Sequence, residues 1–313
     1  MREKLQERAM REKLQKLFEE TAKKGTGLLG IGFKDMATGE ELYYNGDRAF
    51  PLASVYKIFV LCELFRQQKE GTFSFAERHT LLESEKSIGS GILEMIGEGA
   101  VFSLMDYAML MMAISDNTAT DYLYKRAGAE NVEKHIIAPL ELKDTKFNAD
   151  CGTLLTSYYG VTVEEYRAVI NSGGRFHARN GSYFRCDEER NQQSSPRDMV
   201  KLLSRLQEGR LIDAASDKQI LDIMLQCQTN GRIPAKLPRG VTVAHKTGTI
   251  DHLTNDCGIV YTACGNYVLT LFYNGNLASE EEYEGTEWGA VGNALLAQLS
   301  RDVYDIYTEY YQK

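Results

Sequence analysis

Residues 51–68 read PLASVYKIFVLCELFRQQ, and this stretch decides the fold. Between Val55 and Gln68 apolar residues occur nearly all round the predicted helix, which is typical of a helix buried on every side. Ser54 and Lys57 stand at its start, and residues three apart on a helix share a face. The sequence therefore predicts a buried helix that presents a hydroxyl and an ammonium group side by side.

Two further short motifs occur later in the chain. The apolar helix predicted over 104–114 ends at Ser115–Asn117, an S-D-N, and another helix is predicted over 118–126. Lys246–Gly248, a K-T-G, comes directly after the strand predicted over 241–244. Each three-residue string is weak by itself. Their order after the S-x-x-K of the first helix, each beside a suitable element, is a strong signal.

The remaining elements place strands at both ends of the chain and helices in the middle. Strands are predicted over 28–36, 40–45, 257–262 and 267–273, and helices over 1–24, 196–207, 217–226 and 287–310. This order predicts an α+β fold, in which an antiparallel sheet built from both termini is flanked by helices and holds an inserted all-helical subdomain. The expected units are an N-terminal helix (1–24), a sheet subdomain (25–53 and 212–313) and a helical subdomain (54–211) with an insertion at about 144–195.

The motif residues have the chemistry of acyl transfer. A serine hydroxyl such as Ser54 is a poor nucleophile until a base takes its proton, and Lys57 becomes such a base if burial lowers its pKa. Ser115 is suited to pass a proton to a leaving nitrogen, and Asn117 offers a donor and an acceptor to a substrate amide. Three further residues complete the site, because an ammonium and a hydroxyl bind a carboxylate and a glycine admits substrate close to the backbone: Lys246, Thr247 and Gly248.

Each of these residues also has a purely structural interpretation. Ser54 could cap a helix, and Lys57 could extend its ammonium group to the surface. Asp116 suits the N-cap of the helix after it, and Lys246–Gly248 could be a solvated strand end. The functional interpretation requires that three distant stretches of chain meet in one cleft.

The three motifs resemble those of class A β-lactamases, and the resemblance extends from about Leu28 to the C-terminus. The runs MMAISDNTATDYL and AHKTGT and the spacing from Ser54 to Ser115 carry it. The resemblance implies that Ser54 is acylated, that Lys57 activates it and that Ser115 relays the proton. It implies that Asn117 contacts the acyl-side-chain amide. It further implies a carboxylate-binding edge of Lys246, Thr247 and Thr249, and an oxyanion hole made by the backbone N–H groups of Ser54 and Thr249.

One part of the chain departs from that family. The E-x-x-L-N string, whose glutamate activates the deacylating water in that family, is absent. When residues 145–151 are aligned with the family sequence that leads into this string, Cys151 stands where the glutamate belongs. Asp150 is the first candidate for a substitute base and Glu165 the second. For each of them we favour the alternative, a solvated loop carboxylate. An insertion has reshaped 144–195, and the enzyme could acylate and then stall.

These observations predict a serine hydrolase of the class A β-lactamase type that is acylated at Ser54 and hydrolyses a β-lactam or a related ester or amide. The alternatives are a penicillin-binding-type D-Ala-D-Ala carboxypeptidase or transpeptidase with slow deacylation, and a catalytically silent β-lactam-binding sensor domain. A long-lived penicillin adduct would favour the peptidase, rapid product release the β-lactamase, and an unreactive Ser54 the sensor.

The composition of the chain limits the kinds of partner that we expect. Acidic residues exceed basic ones by 44 to 36, with no dense basic stripe, so nucleic acid is not an expected partner. No apolar segment predicts a membrane span, no metal-ligand spacing occurs, and no cofactor is required, since every reactive group comes from the chain. We expect a monomer acting on a small molecule, with mostly reduced thiols among its six cysteines. The first residues lack the apolar stretch of a secretory signal, so we expect a cytoplasmic protein, or an exported one if a leader has been removed.

Overall fold

The computed structural model describes residues 2–25, 27–172, 191–250, 253–275 and 288–312. Its strands are β1 (Leu28–Asp35), β2 (Glu41–Tyr44), β3 (Phe50–Pro51), β4 (Arg78–Thr80), β5 (Val101–Ser103), β6 (Gln193–Ser194), β7 (Thr242–Ile250), β8 (Leu253–Thr262) and β9 (Gly265–Asn274). Five of them form an antiparallel sheet in the order β2-β1-β9-β8-β7. Strands from both ends of the chain therefore share one sheet, with β7 at its edge.

The helices lie on both faces of this sheet. In the sequence, most of them come between β2 and β7. They are α1 (Arg2–Lys24), α2 (Lys57–Lys69), α3 (Leu104–Ala113), α4 (Asn117–Ala127), α5 (Ala129–Val132), α6 (Cys151–Tyr159), α7 (Val163–Asn171), α8 (Pro196–Gln207), α9 (Ala214–Met224) and α10 (Trp288–Tyr311). The predicted α+β class, with a sheet from both termini and an inserted helical region, is confirmed.

The terminal helices α1 and α10 cover one face of the sheet. Met10, Leu14 and Phe18 recur every four residues along α1, and all three side chains are buried there. They pack in one cluster with alternate residues of β1, such as Ile31 and Phe33. Burial of this apolar stripe stabilises the helix that the sequence pattern predicts.

The opposite face of the sheet packs against α8 and the helical region. Gly30 and Gly32 of β1 point to this face, where a Cβ would collide with Phe50 and Val200 respectively, so the strand needs glycine to admit those neighbours. Beyond α8 lies α2, in which every residue from Lys57 to Phe65 is buried. The predicted buried helix is thus confirmed.

Two boundaries differ from the sequence prediction in ways that matter for the site. Ser54 lies in a 3-10 turn, Ala53–Tyr56, and α2 begins only at Lys57. Strand β7 continues to Ile250, so Lys246 is inside an edge strand and does not follow one. The prediction ended this strand at Ala244 because the polar motif residues look like a strand terminus, whereas pairing with β8 carries the strand through them.

The region 144–195 contains more regular structure than its weak periodicity predicted. Helix α6 begins at an N-cap, Asp150, and ends at Gly160 in the left-handed conformation. Helix α7 begins with a capping box between Thr162 and Glu165. Residues 173–190, with Cys186, lie outside the described part of the chain.

The cysteines of the described residues are all free thiols, as the sequence predicted: Cys62, Cys151, Cys227, Cys257 and Cys264. In the same part of the chain no helix is long and apolar enough to cross a bilayer.

Candidate active site

Ser54 is held beside the edge strand by a close fit between two backbones. Asn255 of β8 donates from Nδ2 to the carbonyl oxygens of Pro51, at 2.8 Å, and Leu52, at 3.2 Å. A Cβ on Gly248 would collide with that Leu52 carbonyl oxygen. Gly248 therefore lets β7 pack on the turn that carries Ser54, and its predicted role in admitting substrate stays a prediction.

Lys57 points inward, away from bulk water, and is fully buried. Its Nζ donates to the carbonyl oxygen of Ser115 at 2.7 Å, to Ser115 Oγ at 3.0 Å and to Asn117 Oδ1 at 2.9 Å. Burial lowers its pKa from the ordinary lysine value, even though nearby acidic groups act in the opposite direction. The neutral amine of Lys57 is therefore more favoured in the folded protein than that of a lysine in water, and only the neutral amine can act as a base.

Lys246 reaches the same serine from the edge strand. Its Nζ donates to Ser115 Oγ at 3.1 Å and to the Thr247 carbonyl oxygen at 2.9 Å. Burial, together with the nearby Lys57 ammonium, lowers its pKa to about 7. Ser115 Oγ thus accepts from two lysines, which leaves its own hydrogen available to a third group.

The loop of Ser115 is a strained turn with dedicated supports. Ser115 has φ of 62°, in the left-handed region that is costly for a residue with a Cβ. Asp116 Oδ1 accepts from Ala119 N at 2.9 Å, so it is the N-cap of α4, as predicted. Its Oδ2 accepts from the backbone N–H of Ile92 and Leu93, which ties the loop to the segment in front of it.

Ser90 is a site residue that sequence reasoning missed. Its Oγ donates to the Ser115 carbonyl oxygen at 2.8 Å and lies 3.2 Å from Asn117 Oδ1. Asn117 Nδ2 donates to the Ile88 carbonyl oxygen at 2.8 Å, so one of its two amide hydrogens remains for a substrate. Ser90 belongs to a loop with no motif, and only the folded chain brings it to Ser115.

Arg232 is the second residue that the sequence did not reveal. It is buried, its Nη1 donates to the Gly248 carbonyl oxygen at 2.9 Å, and its Nη2 donates to Thr249 Oγ1. No carboxylate pairs with its guanidinium among the ion pairs of the described residues. Arg232 thus adds a buried cation to the predicted edge of Lys246 and Thr249, while Thr247 is buried between them opposite Asp256.

A cavity of about 240 Å³ opens in front of these groups. It is lined by Ala53, Ser54, Tyr56, Gly89, Ser90, Asn117, Cys151, Leu154, Leu155, Tyr159, Tyr166, Thr249 and Ile250. The three motif regions therefore meet at one place, although their roles in a reaction stay a prediction. Within the described part of the chain, no cluster of His, Cys, Asp and Glu could hold a metal ion.

Neither predicted substitute base lines this cavity. Asp150 Oδ1 accepts from Thr153 N at 2.7 Å and caps α6. Glu165 accepts from Thr162 N at 2.8 Å and is exposed. These local bonds give both carboxylates a structural task that a sequence pattern cannot distinguish from catalysis.

Cys151, which the sequence analysis aligned with the family's glutamate, lines the wall of the cavity. Its Sγ lies 3.0 Å from Tyr56 Oη, and burial raises the pKa of the thiol to about 12. Asp121 fixes its position by accepting from the backbone N–H of Cys151 at 2.7 Å and of Gly152 at 2.9 Å. The thiol is therefore neutral near pH 7 and cannot activate water as a carboxylate does.

A buried ion pair supports β7. His245 Nδ1 lies 2.8 Å from Asp256 Oδ1, and its Nε2 lies 3.2 Å from Asn230 Oδ1. Burial acts to lower the pKa of His245, but the Asp256 carboxylate overrides it and raises the pKa to about 10. The imidazolium form is therefore the native one at neutral pH, directly next to Lys246 in the strand.

Asp256→Asn should lower the free energy of unfolding by about 3 kcal/mol near pH 6, because it leaves a buried imidazolium without its counter-charge. The raised pKa of His245 stabilises the fold fully below pH 6.5, and this contribution is lost as the pH rises through about 10. The deficit of the variant should shrink over that range in urea titrations. Asp305→Asn, which breaks an exposed pair with Arg301, should change the stability far less and serves as the control. An equal, pH-independent loss in both variants would contradict this account.

Comparison with known proteins identifies relatives of one kind. Among curated proteins, the chain is 22% identical to the extended-spectrum beta-lactamase PER-1 of Pseudomonas aeruginosa, over 85% of this chain and 78% of that protein. It is 23% identical to a beta-lactamase of Bacteroides uniformis, over 85% of this chain and 82% of that protein.

Solved structures show the same architecture. A beta-lactamase from Sphaerobacter thermophilus superposes with a TM-score of 0.75 at 23% identity, covering 95% of this chain and 96% of the other. PBP-A superposes with a TM-score of 0.75 at 25% identity, covering the same shares. A mutant of PBP-A, solved as an acyl-enzyme complex with penicillin-G, has a TM-score of 0.72 at 25% identity and covers 95% of this chain and 97% of that one.

The model of one family matches nearly the whole chain. It is the model described as the beta-lactamase enzyme family, and the match runs from residue 9 to residue 307. The match includes both the sheet and the helical region that meet at Ser54 and Lys246. The chain therefore belongs to the beta-lactamase enzyme family.

Proposed function

We propose that this protein is a serine hydrolase of the class A β-lactamase type that is acylated at Ser54 by β-lactams and releases the acyl group slowly. One observation carries the proposal. Ser115 Oγ accepts from both buried lysines, Lys57 and Lys246, at the cavity that Ser54 lines. This arrangement supplies a base, a proton path and a nucleophile at one place.

In the proposed reaction, neutral Lys57 takes the proton of Ser54 directly or through a water as Ser54 Oγ attacks the lactam carbonyl carbon. The backbone N–H groups of Ser54 and Thr249 hold the oxyanion. When the C–N bond breaks, Ser115 gives its proton to the nitrogen and recovers one from a lysine. All of these groups belong to the chain, so we propose that no cofactor takes part.

The substrate carboxylate is proposed to bind at the end of the cleft formed by β7. Lys246, Arg232 and Thr249 bring two cationic groups and a hydroxyl to that end, and charge-assisted bonds of this kind are stronger than neutral ones. A small carboxylated amide is therefore the proposed partner, and a monomer carries the whole site.

Slow release is expected from the composition of the cavity wall. None of the described residues that line the cavity is acidic, and Cys151 is a neutral thiol. This observation favours a second candidate function, a penicillin-binding-type D-Ala-D-Ala carboxypeptidase or transpeptidase, which would use the same acylation step. The similar PBP-A mutant, trapped as an acyl-enzyme complex with penicillin-G, supports acylation on this fold.

Rapid mixing with a chromogenic cephalosporin tests the proposal. We expect a burst of about one product per protein molecule, and then a much slower steady state set by deacylation. Fast steady-state turnover without a burst would mean that another base activates water. Neither burst nor turnover, with reversible binding retained, would contradict the proposal and indicate the sensor alternative.

The pH dependence of the acylation rate should reveal the titration of Lys246. Its pKa of about 7 means that the cation is lost as the pH rises through that value, and with it one charge-assisted bond to the substrate carboxylate. The second-order acylation rate constant should then fall about tenfold between pH 7 and pH 9, in keeping with a bond of about 1.5 kcal/mol. Lys246→Arg keeps its charge over this range and should remove that alkaline limb. The same limb in both proteins would contradict the assignment.

A further inference from the structure

Ser90 holds a fixed place beside the site although it belongs to no motif. Its carbonyl oxygen accepts from Asn117 N at 2.8 Å, and it lines the cavity. The residues on either side of it, Gly89 and Gly91, have φ of 102° and 120°. A Cβ on Gly89 would collide with Asn117, and a Cβ on Gly91 with Asp116. Glycine on both sides therefore lets this loop close on the S-D-N turn and present the Ser90 hydroxyl to it.

The Lys57 ammonium group uses all three of its hydrogens. They point to the Ser115 carbonyl oxygen, Ser115 Oγ and Asn117 Oδ1, at 2.7, 3.0 and 2.9 Å. A neutral amine has two hydrogens and one lone pair, and the lone pair must accept the proton of Ser54 if Lys57 acts as the base. Loss of a proton from Lys57 therefore releases one of the three acceptors, and a buried acceptor without a donor is costly.

Each of these three acceptors has a second donor. Ser115 Oγ also accepts from Lys246 Nζ at 3.1 Å. The Ser115 carbonyl oxygen also accepts from Ser90 Oγ at 2.8 Å, and Asn117 Oδ1 lies 3.2 Å from the same hydroxyl. The single hydrogen of Ser90 can therefore turn to either of the two oxygens when Lys57 releases it.

We propose that Ser90 is a positioning residue for acylation, whose hydroxyl donates to whichever of these two oxygens Lys57 releases when it becomes the neutral amine. The inference rests on the proposed acylation of Ser54. As Ser54 Oγ bonds to the carbonyl carbon, its proton passes to the lone pair of Lys57. The ammonium group then regains its third hydrogen and the Ser90 hydroxyl turns back. Ser90 keeps its own proton throughout and acts only through Lys57.

The solvent in the cavity decides when this hydroxyl matters. Ser90 is exposed in the free protein, where water in the cavity can donate to the released oxygen instead. A bound substrate fills the cavity that Ser54, Ser90 and Asn117 line, and it displaces that water. The contribution of Ser90 to the neutral state of Lys57 is therefore larger in the substrate complex than in the free protein.

Other ionisable groups near Lys57 also act on its pKa, but they are the same in every variant of Ser90. Among the described residues they come from the S-D-N turn, α4, α6 and β7: Asp116, Asp121, Cys151 and Lys246. A difference in the pKa of Lys57 between variants that differ only at Ser90 therefore reports the hydroxyl.

Rapid mixing with a chromogenic cephalosporin over a range of pH tests the role of Ser90. The first-order acylation rate constant at saturating substrate reports pKa values in the complex, and the second-order constant reports those of the free protein. We expect the wild-type rate to fall at low pH as Lys57 becomes protonated. Ser90→Ala should move this acid limb upward by about 1 pH unit in the complex, because a hydrogen bond and a pKa unit have similar free energies. The shift should be clearly smaller in the free protein.

Ser90→Thr and Ser90→Val form a matched pair. The two new side chains have the same shape, and only threonine carries the hydroxyl. Threonine should keep the wild-type acid limb, and valine should shift it as alanine does. The pair keeps the test valid if the alanine variant fails to fold.

The outcomes separate this inference from the function on which it rests. A decrease in the acylation rate by the same factor at every pH, with the acid limb of Ser90→Ala unmoved, would overturn the role of Ser90 and leave acylation of Ser54 standing. Equal shifts by threonine and valine would overturn it too, since the hydroxyl would then not be the cause. No acylation of the wild-type protein at any pH would overturn the proposed function itself.

Discussion

Ser54→Ala should abolish formation of a covalent penicillin adduct and reduce turnover of a chromogenic cephalosporin by at least about 10⁴-fold, as removal of a catalytic nucleophile does in other serine enzymes. The reason is that the neighbouring hydroxyls cannot replace that of Ser54. Ser115 Oγ accepts from both lysines and does not line the cavity, and Ser90 Oγ donates to the Ser115 carbonyl oxygen. The measurement is the adduct fraction by intact mass, together with steady-state absorbance.

The same variant should fold normally. The Ser54 side chain caps neither the 3-10 turn nor α2, which removes the structural alternative for this residue. We expect the free energy of unfolding to change by less than about 1 kcal/mol. Ser74→Ala, at an exposed position, is the matched control and should keep full activity. Adduct formation by Ser54→Ala at the wild-type rate would remove Ser54 from the mechanism.

Cys151→Glu should accelerate hydrolysis of the acyl-enzyme by roughly 10²–10⁴-fold, which is the usual contribution of a positioned general base. The substitution places a carboxylate in the cavity wall beside Ser54, at a backbone position that Asp121 fixes through two hydrogen bonds. Lys57, whenever it is protonated, lowers the pKa of a group at this position and so favours the ionised carboxylate. Single-turnover decay of the penicilloyl adduct measures the effect.

Cys151→Gln separates the chemistry from the shape. Glutamine has nearly the same size as glutamate and cannot accept a proton near neutral pH, so its adduct should decay as slowly as the wild-type one. Equal acceleration by both substitutions would mean that a larger side chain admits water, and that base catalysis at this position is not the cause. No acceleration by either would place the deacylating group elsewhere.

The parts of the fold that the sequence predicted are those set by local periodicity. The buried helix α2 and the terminal helices follow from apolar spacing, and Asp116 as an N-cap follows from its residue type. The length of β7 could not be predicted, because pairing with β8 decides that Lys246 and Thr247 remain in the strand. Tertiary contact overrides the local signal there.

The residues of the candidate site also fall into those that the sequence predicted and those that it could not. Residues carried by motifs, such as Lys57 and Ser115, could be named from the sequence, and the structure brings them within hydrogen-bond distance. Ser90 and Arg232 could not, because each stands in a segment without a pattern and acquires its place from long-range packing. Asp150 was predicted to be a base because it neighbours Cys151, which aligns with the family's glutamate. Its bond to Thr153 N shows that it caps a helix, and its role as a base stays a prediction.

Peptide mapping of the protein after brief exposure to benzylpenicillin tests the central claim most directly. The account predicts one penicilloyl group per molecule, on the peptide that contains Ser54, and its disappearance in Ser54→Ala. A stable, stoichiometric adduct on a different residue, or no adduct under conditions in which the folded protein is intact, would contradict it.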